Sequence, residues 1–199
     1  MSSSSRGEGG AVRQWPKLGS ESMGDFRVFS VRRDRRRSPR TGNEHDFYVL
    51  EMPEWVNVIA VTEDRRVVLI RQFRHGVEEV CLEIPGGVVD AGDADLSTAA
   101  RRELLEETGY TADEFIHLGS VTANPAIQNN RCHTFLARGA RRETRQNLDS
   151  GEDISVEEVA LDEVDALMAG GHMNHTMVVS AFHWLELYRR QNPDTPYIG

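Results

Sequence analysis

Residues 86–110, GGVVDAGDADLSTAARRELLEETGY, constrain this chain more than any other stretch of it. A glycine-rich turn opens onto a run in which Leu96, Ala99, Ala100 and Leu104 recur at helical spacing, with Asp93 or Asp95 where an N-cap belongs. The spacing predicts a helix over about 95–108, ended by Gly109. Opposite the apolar stripe, Glu103, Glu106 and Glu107 share one face, because positions i, i+3 and i+4 of a helix are neighbours. Three carboxylates that close repel one another unless a cation sits among them. Clusters of oxygen ligands suit a hard divalent ion, here Mg²⁺ with Mn²⁺ as the alternative, and such an ion also holds phosphates. Arg102 lies four residues before Glu106, placed to orient a carboxylate, and Pro85, Gly86 and Gly87 let backbone approach with no Cβ in the way. Glutamate-rich helices are commonly solvated faces; the adjoining PGG, Arg102 and Gly109 argue for a site instead.

The remaining composition narrows the class. With 199 residues, 39% of them hydrophobic, the chain suits one domain, or one domain with a small appendage. It has no apolar run of membrane-spanning length, and MSSSSRGEGGAVRQW lacks the apolar core of a secretory signal. Cys81 and Cys132 sit in apolar strand-like runs and are expected to be reduced core thiols of a cytoplasmic protein. A net charge of −9 argues against nucleic acid as a partner. Arg32, Arg33, Arg35, Arg36, Arg37 and Arg40 crowd one stretch, as a solvated hairpin tip or as a contact for an anionic partner. His172 and His175 stand three apart, but no Cys or third His is near in sequence, and they read as helix-start residues.

Residues 1–22 are Ser- and Gly-rich and expected to be disordered. Residues 23–54 hold two strand-like runs around SPRTGN, a β segment in hairpin form that has to pack on something to persist. The main domain is expected over 55–192, with a tail at 193–199. Its strands are predicted at 56–62, 67–74, 80–84, 115–122, 132–137 and 154–160, a polar loop at 138–151, and helices at 161–168 and 177–190 around Gly170-Gly171. The order indicates an α+β fold rather than a doubly wound parallel sheet.

The motif resembles that of the Nudix hydrolases, G-x5-E-x7-R-E-U-x-E-E-x-G-U with U apolar. RELLEETGY at 102–110 fits its second half, Tyr110 filling the last apolar place. The first half departs from it: Asp93 replaces Glu, and eight residues rather than seven separate it from Arg102. The added residue reads as a loop change, and the role of Asp93 is open. The resemblance covers roughly residues 26–190 and implies an α/β/α sandwich on a mixed sheet behind an N-terminal β-hairpin segment. It implies that Glu103, Glu106, Glu107 and the backbone carbonyl of Gly86 hold metal, and that Glu106 and Arg102 serve catalysis.

Within that family the chain looks most like the ADP-ribose pyrophosphatases. GEDISV makes Glu152 the candidate base on a mobile loop, with Asp153 as its neighbour. Pro125, fifteen residues beyond Tyr110, matches a position associated with ADP-ribose. RQFR offers Arg71 and Arg74 as a phosphate clamp, although strand alternation lets only part of the quartet face a cleft. Glu83 of LEIPGG has a pyrophosphate- or metal-site role, or is an edge carboxylate in solvent. Trp55 and Phe47 stack on adenine or belong to the core. The loop Gln128–Arg131 meets sugar or phosphate, or is simply a turn. The implied activity is metal-dependent hydrolysis of a nucleoside diphosphate sugar, ADP-ribose giving AMP and ribose 5-phosphate, by a homodimer that exchanges its N-terminal segment. ADP-glucose or GDP-mannose as substrate, and a non-catalytic nucleotide sensor, are the alternatives.

Overall fold

Strands covered on both faces bury nearly every side chain, and the apolar runs of this chain build such a sheet. The computed structural model describes residues 11–198 and divides into two units, residues 1–52 and 53–199. The first holds an antiparallel sheet in the order β1 (Lys17–Asp25), β2 (Ser30–Arg37), β3 (Glu44–Glu51). The hairpin anticipated from sequence is β2–β3. The extra strand β1 begins within the stretch read above as disordered, taking in residues 17–22 of it; residues 1–10 of that tail lie outside the described residues. Its exposed sequence KLGSESMGD has no apolar alternation, and it is held by polar contacts to Asp34 on β2.

The second unit contains β4 (Trp55–Val61), β5 (Arg66–Arg74), β6 (Glu79–Glu83), β7 (Gly86–Val88), α1 (Leu96–Thr108), β8 (Tyr110–Thr111), β9 (Glu114–Val121), β10 (Cys132–Arg138), β11 (Arg141–Arg142) and β12 (Ile154–Ala160). A 3-10 turn at Leu161–Glu163 leads into α2 (Val164–Ala169) and α3 (Thr176–Gln191). Seven strands make one mixed sheet: β12, β5, β4, β10 and β9 run in that order, β6 pairs with β5 and β7 with β4, and only β4–β10 is parallel. Strand alternation divides the core. Val56, Val58 and Ala60 of β4 pack with Ala99, Ala100 and Leu104 of α1. Ile59 and Val61 belong with Val178, Ala181, Phe182 and Leu185 of α3. The result is helix, sheet, helix. The chain returns to this core after α3, where Ile198 is fully buried. Among the described residues no helix is long and apolar enough to cross a membrane.

One irregularity positions the site. β4 pairs with β7 through Trp55, Val56 and Asn57 but with β5 only through Ala60 and Val61, while Ile70–Arg74 of β5 pairs with β6. The two central strands therefore part company halfway along. Residues Ile84 and Pro85 cross the gap, and Val58 N–H donates to the Pro85 carbonyl at 2.9 Å. Gly86 and Gly87, read above as a turn, thus continue as a short strand. Cys81 is only partly buried, unlike Cys132, and both thiols are free.

Candidate active site

Helix α1 is set by its ends. Asp95 is the N-cap, its carboxylate accepting from Thr98 N–H at 2.7 Å, and Gly109 closes the other end at φ 75°, a left-handed conformation suited to glycine. Between them Ala99, Ala100 and Leu104 are fully buried, so the opposite face carries Glu103, Glu106 and Glu107 past β7. Gly87 is essential to that approach. A Cβ there would fall 2.7 Å from the Glu103 carboxylate. Gly86 N–H donates to Glu107 Oε2 at 2.8 Å.

Arg102 organises this face. Nη1 donates to Glu103 Oε1 at 2.8 Å and to Glu106 Oε2 at 3.1 Å; Nη2 reaches the Val88 carbonyl at 2.9 Å. Nε and Nη2 also grip Asp93 at 3.2 and 3.0 Å, which holds that carboxyl below its ordinary range. Asp93 therefore has a role despite the altered spacing: it anchors Arg102. With every nitrogen engaged, Arg102 is held where it orients carboxylates.

Glu152 joins them across the chain. Gln146 Nε2 bridges the Glu107 carbonyl at 2.7 Å and the Ile154 carbonyl at 3.0 Å, tying the loop before β12 to the end of α1. A tight turn follows, in which Glu152 N–H donates to Asp149 O at 2.9 Å and Asp149 N–H to Glu152 Oε2 at 3.1 Å. Gln146 thus ties the loop to α1 and to β12, and the turn within it carries Glu152. Glu103, Glu106, Glu107 and Glu152 line one cavity of about 250 Å³ with Gln72 and Arg74.

The electrostatics are lopsided. Burial pushes Glu107 up to about 8, with further repulsion from Glu103 and Glu152 and only partial relief from Gly86 N–H and Arg74. Burial pushes Glu103 up to about 7, against the attraction of Arg102. Arg74 and Arg102 face six carboxylates there, Asp90, Glu103, Glu106, Glu107, Asp149 and Glu152, so the cavity is short of positive charge and rich in oxygen donors. Charge and donor type fit a divalent ion. The coordination sphere is not preassembled: among the described residues no three acidic, His or Cys groups already converge as a metal cage.

Glu83 behaves in the opposite way. Read as a possible solvent-edge carboxylate, it is 2% exposed at the end of β6. Burial alone would raise it, but Arg74 Nε and Nη2 pair with both its oxygens at 2.8 Å and His175 adds a third contact at 2.9 Å, which together hold it near 2. Arg74 shares the cavity with Gln72, two residues back on the same strand face. Arg71 points to the other face and forms a two-pronged pair with Glu157 at 3.0 and 2.9 Å, away from the carboxylates. Trp55 lines a second, apolar cavity of about 360 Å³ with Ile84, Cys132, Met177 and Val178, and Arg74, Gly86, Gly87 and Val88 border both cavities. Pro125 is exposed in the turn after β9 and lines neither cavity, and Phe47 is an exposed residue of the first unit.

Sequence reading missed Gln72, whose buried Oε1 has no hydrogen-bond partner, and the contact of His175 with Glu83; His175 itself stands at the start of α3, as read from sequence. Strand periodicity points to the first; no local signal points to the second. A wider cavity of about 580 Å³ near Tyr110 contains none of the four glutamates, and among its lining charges Arg141 pairs with Asp113 and Arg138 with Glu114.

Comparison with known proteins places this geometry. Residues 52–180 match the family model of the NUDIX domain. An ADP-ribose pyrophosphatase of Bacillus subtilis is 31% identical over 140 residues, 70% of this chain and 75% of that protein. A methanol dehydrogenase activator of Bacillus methanolicus is equally similar, 31% over 140 residues with the same coverage. A crystal structure of an ADP compounds hydrolase superposes with a TM-score of 0.81 at 21% identity, covering 93% of this chain and 99% of the other, a likeness of fold.

Proposed function

The chain belongs to the Nudix hydrolase family, and from that premise we propose that it hydrolyses the diphosphate of a nucleoside diphosphate sugar, with ADP-ribose giving AMP and ribose 5-phosphate. The observation that carries the reading is the cavity of four glutamates, two of them raised to about 7 and about 8 by burial without an adequate counter-charge, next to Arg74. Nudix hydrolases use a divalent metal; here Glu103, Glu106, Glu107 and the Gly86 carbonyl would hold Mg²⁺. Bound there, the ion would neutralise charge on the diphosphate and acidify a water. Glu152, within electrostatic reach of Glu103 and Glu107, takes the proton from the attacking water. Arg102 keeps Glu103 and Glu106 in place, and Arg74 meets phosphate oxygens at the junction of the two cavities. Trp55 offers the apolar cavity an aromatic wall for the organic half of the substrate.

The same reading makes the protein a homodimer through its N-terminal unit, where Phe26 and Val28 in the turn between β1 and β2, and Tyr48 on β3, are each more than half exposed. Two free cysteines suit the reducing cytoplasm. The test is a panel of nucleotide sugars with Mg²⁺ or Mn²⁺, products identified by phosphorus NMR. Cleavage of ADP-ribose between its phosphates is the expected result. Binding without turnover of any sugar would overturn the hydrolase and leave a sensor.

A further inference from the structure

His175 lies far from the glutamate motif in sequence, and the mechanism above gives it nothing to do. It occupies the N-cap of α3, where a Ser, Thr, Asp or Asn side chain would accept from the helix's free N–H groups; its imidazole makes no such bond. Nδ1 instead lies 2.9 Å from Glu83 Oε2. Glu83 is buried and ionised, hence acceptor-only, so the proton between them belongs to Nδ1. Arg74 occupies both oxygens of the same carboxylate from β5. A single buried anion is thus gripped from a strand and from a helix.

We propose that His175 is a positioning residue: its Nδ1–H locks the Glu83 carboxylate, and through it the Arg74 guanidinium, at the junction of the carboxylate-lined and apolar cavities. The inference rests on the reading of that junction as the diphosphate site. Arg74 spends Nε and one Nη2 hydrogen on Glu83, and its Nη1 is left to face phosphate oxygens. Two parallel bonds fix Arg74 relative to Glu83 but allow the pair to swing together. A third donor from another element removes that freedom, so the guanidinium is already oriented when substrate arrives. His175 acts before the chemical step and never touches the reacting atoms. Its loss should therefore appear in substrate affinity rather than in turnover.

The experiment compares His175→Ala and His175→Asn with the wild type on the best nucleotide sugar with Mg²⁺. Asn keeps a donor at about the reach of Nδ1. His175→Ala should raise KM roughly tenfold or more while kcat changes less than about threefold, the scale of one lost hydrogen bond to a charged group. His175→Asn should restore KM to within about threefold. An unchanged KM in His175→Ala, or equal impairment in both variants, overturns the proposal. Nitrogen-15 NMR of histidine-labelled full-length protein, without substrate, tests the brace independently of turnover. The expected signal is an Nδ1–H tautomer that shifts in Glu83→Gln, and a bare Nδ1 in the wild type rules the brace out. If the wild type cleaves no nucleotide sugar, the functional reading falls, and the NMR alone decides whether the brace exists.

Discussion

Asp34 in the N-terminal sheet and Glu107 in the second unit are both buried carboxylates, 0% and 3% exposed, in very different company. Asp34 accepts from Lys17 at 3.0 Å, Arg32 at 3.2 Å, Arg36 at 3.1 Å and the Ser20 hydroxyl at 2.7 Å. Burial would raise it, but these partners hold it far below the ordinary carboxylate range. Glu107 has one backbone N–H and two neighbouring carboxylates, and it is raised to about 8. A carboxylate that serves the fold arrives with its counter-charges supplied by the chain. One that leaves a deficit is waiting for a cation from outside, and that deficit separates a site from a scaffold.

The comparison breaks most sharply at Glu107→Gln. Removing that charge takes away an oxygen proposed to hold metal and relieves the repulsion, so turnover should fall by about 10³-fold or more while thermal stability holds or rises. Turnover with saturating Mg²⁺, read beside calorimetry, checks it. Equal loss of activity and folding would make Glu107 a structural residue like Asp34. A somewhat smaller effect belongs to Glu152→Gln, about 10² to 10³-fold at saturating metal with metal affinity little changed. An unaltered rate would move the base elsewhere, Asp153 being the neighbour.

How far the sequence led follows the same division. The acids of α1, its Asp95 cap and its Gly109 stop were legible because helical periodicity and capping are local. The α+β order was legible because strand and helix patterns are local, and the sandwich was what the family resemblance implied. β1 was not, since its Ser- and Gly-rich residues are ordered by Asp34 from a later strand rather than by a pattern of their own. The faces of Arg71 and Arg74 were undecided, because alternation separates them without naming the face that meets the cleft. His175 was legible as a helix start but its contact was not: its partner Glu83 is 92 residues away and lies in another element. Asp93 looked misplaced by one residue in a linear motif and is in place in three dimensions, since Arg102 reaches it directly.

Asp34→Asn sharpens the other side of the comparison. Lys17, Arg32 and Arg36 would then face one another around a neutral amide. The partners are 40%, 22% and 32% exposed, so solvent screens part of the loss, and about 1–3 kcal/mol is expected rather than the full cost of breaking a buried pair. Hydrogen exchange should show it as lost protection in β1 and β2, with amides of α1 unchanged. Unaltered protection would mean that backbone pairing alone holds β1.

The smallest expected effect is on stability against pH, where the two kinds of carboxylate have opposite signs. Glu103 and Glu107 titrate higher in the folded protein, about 7 and about 8, than the ordinary 4.5. Between pH 4.5 and 8 the folded state therefore binds more protons than the unfolded one, and metal-free protein gains stability as pH falls through that window. Glu83, near 2 when folded, contributes stability that is complete above its ordinary 4.5 and is lost as pH falls toward 2. Metal-free protein should thus melt a few degrees higher near pH 5.5 than near pH 8 and fall off below about 4. Saturating Mg²⁺ should reverse the upper limb, because an ion bound to ionised glutamates competes with their protons. Glu107→Gln should flatten that limb and leave the acid limb intact. A melting temperature that rises from pH 5.5 to 8 without metal would show that the chain supplies the counter-charge itself, and the contrast with Asp34 would be lost.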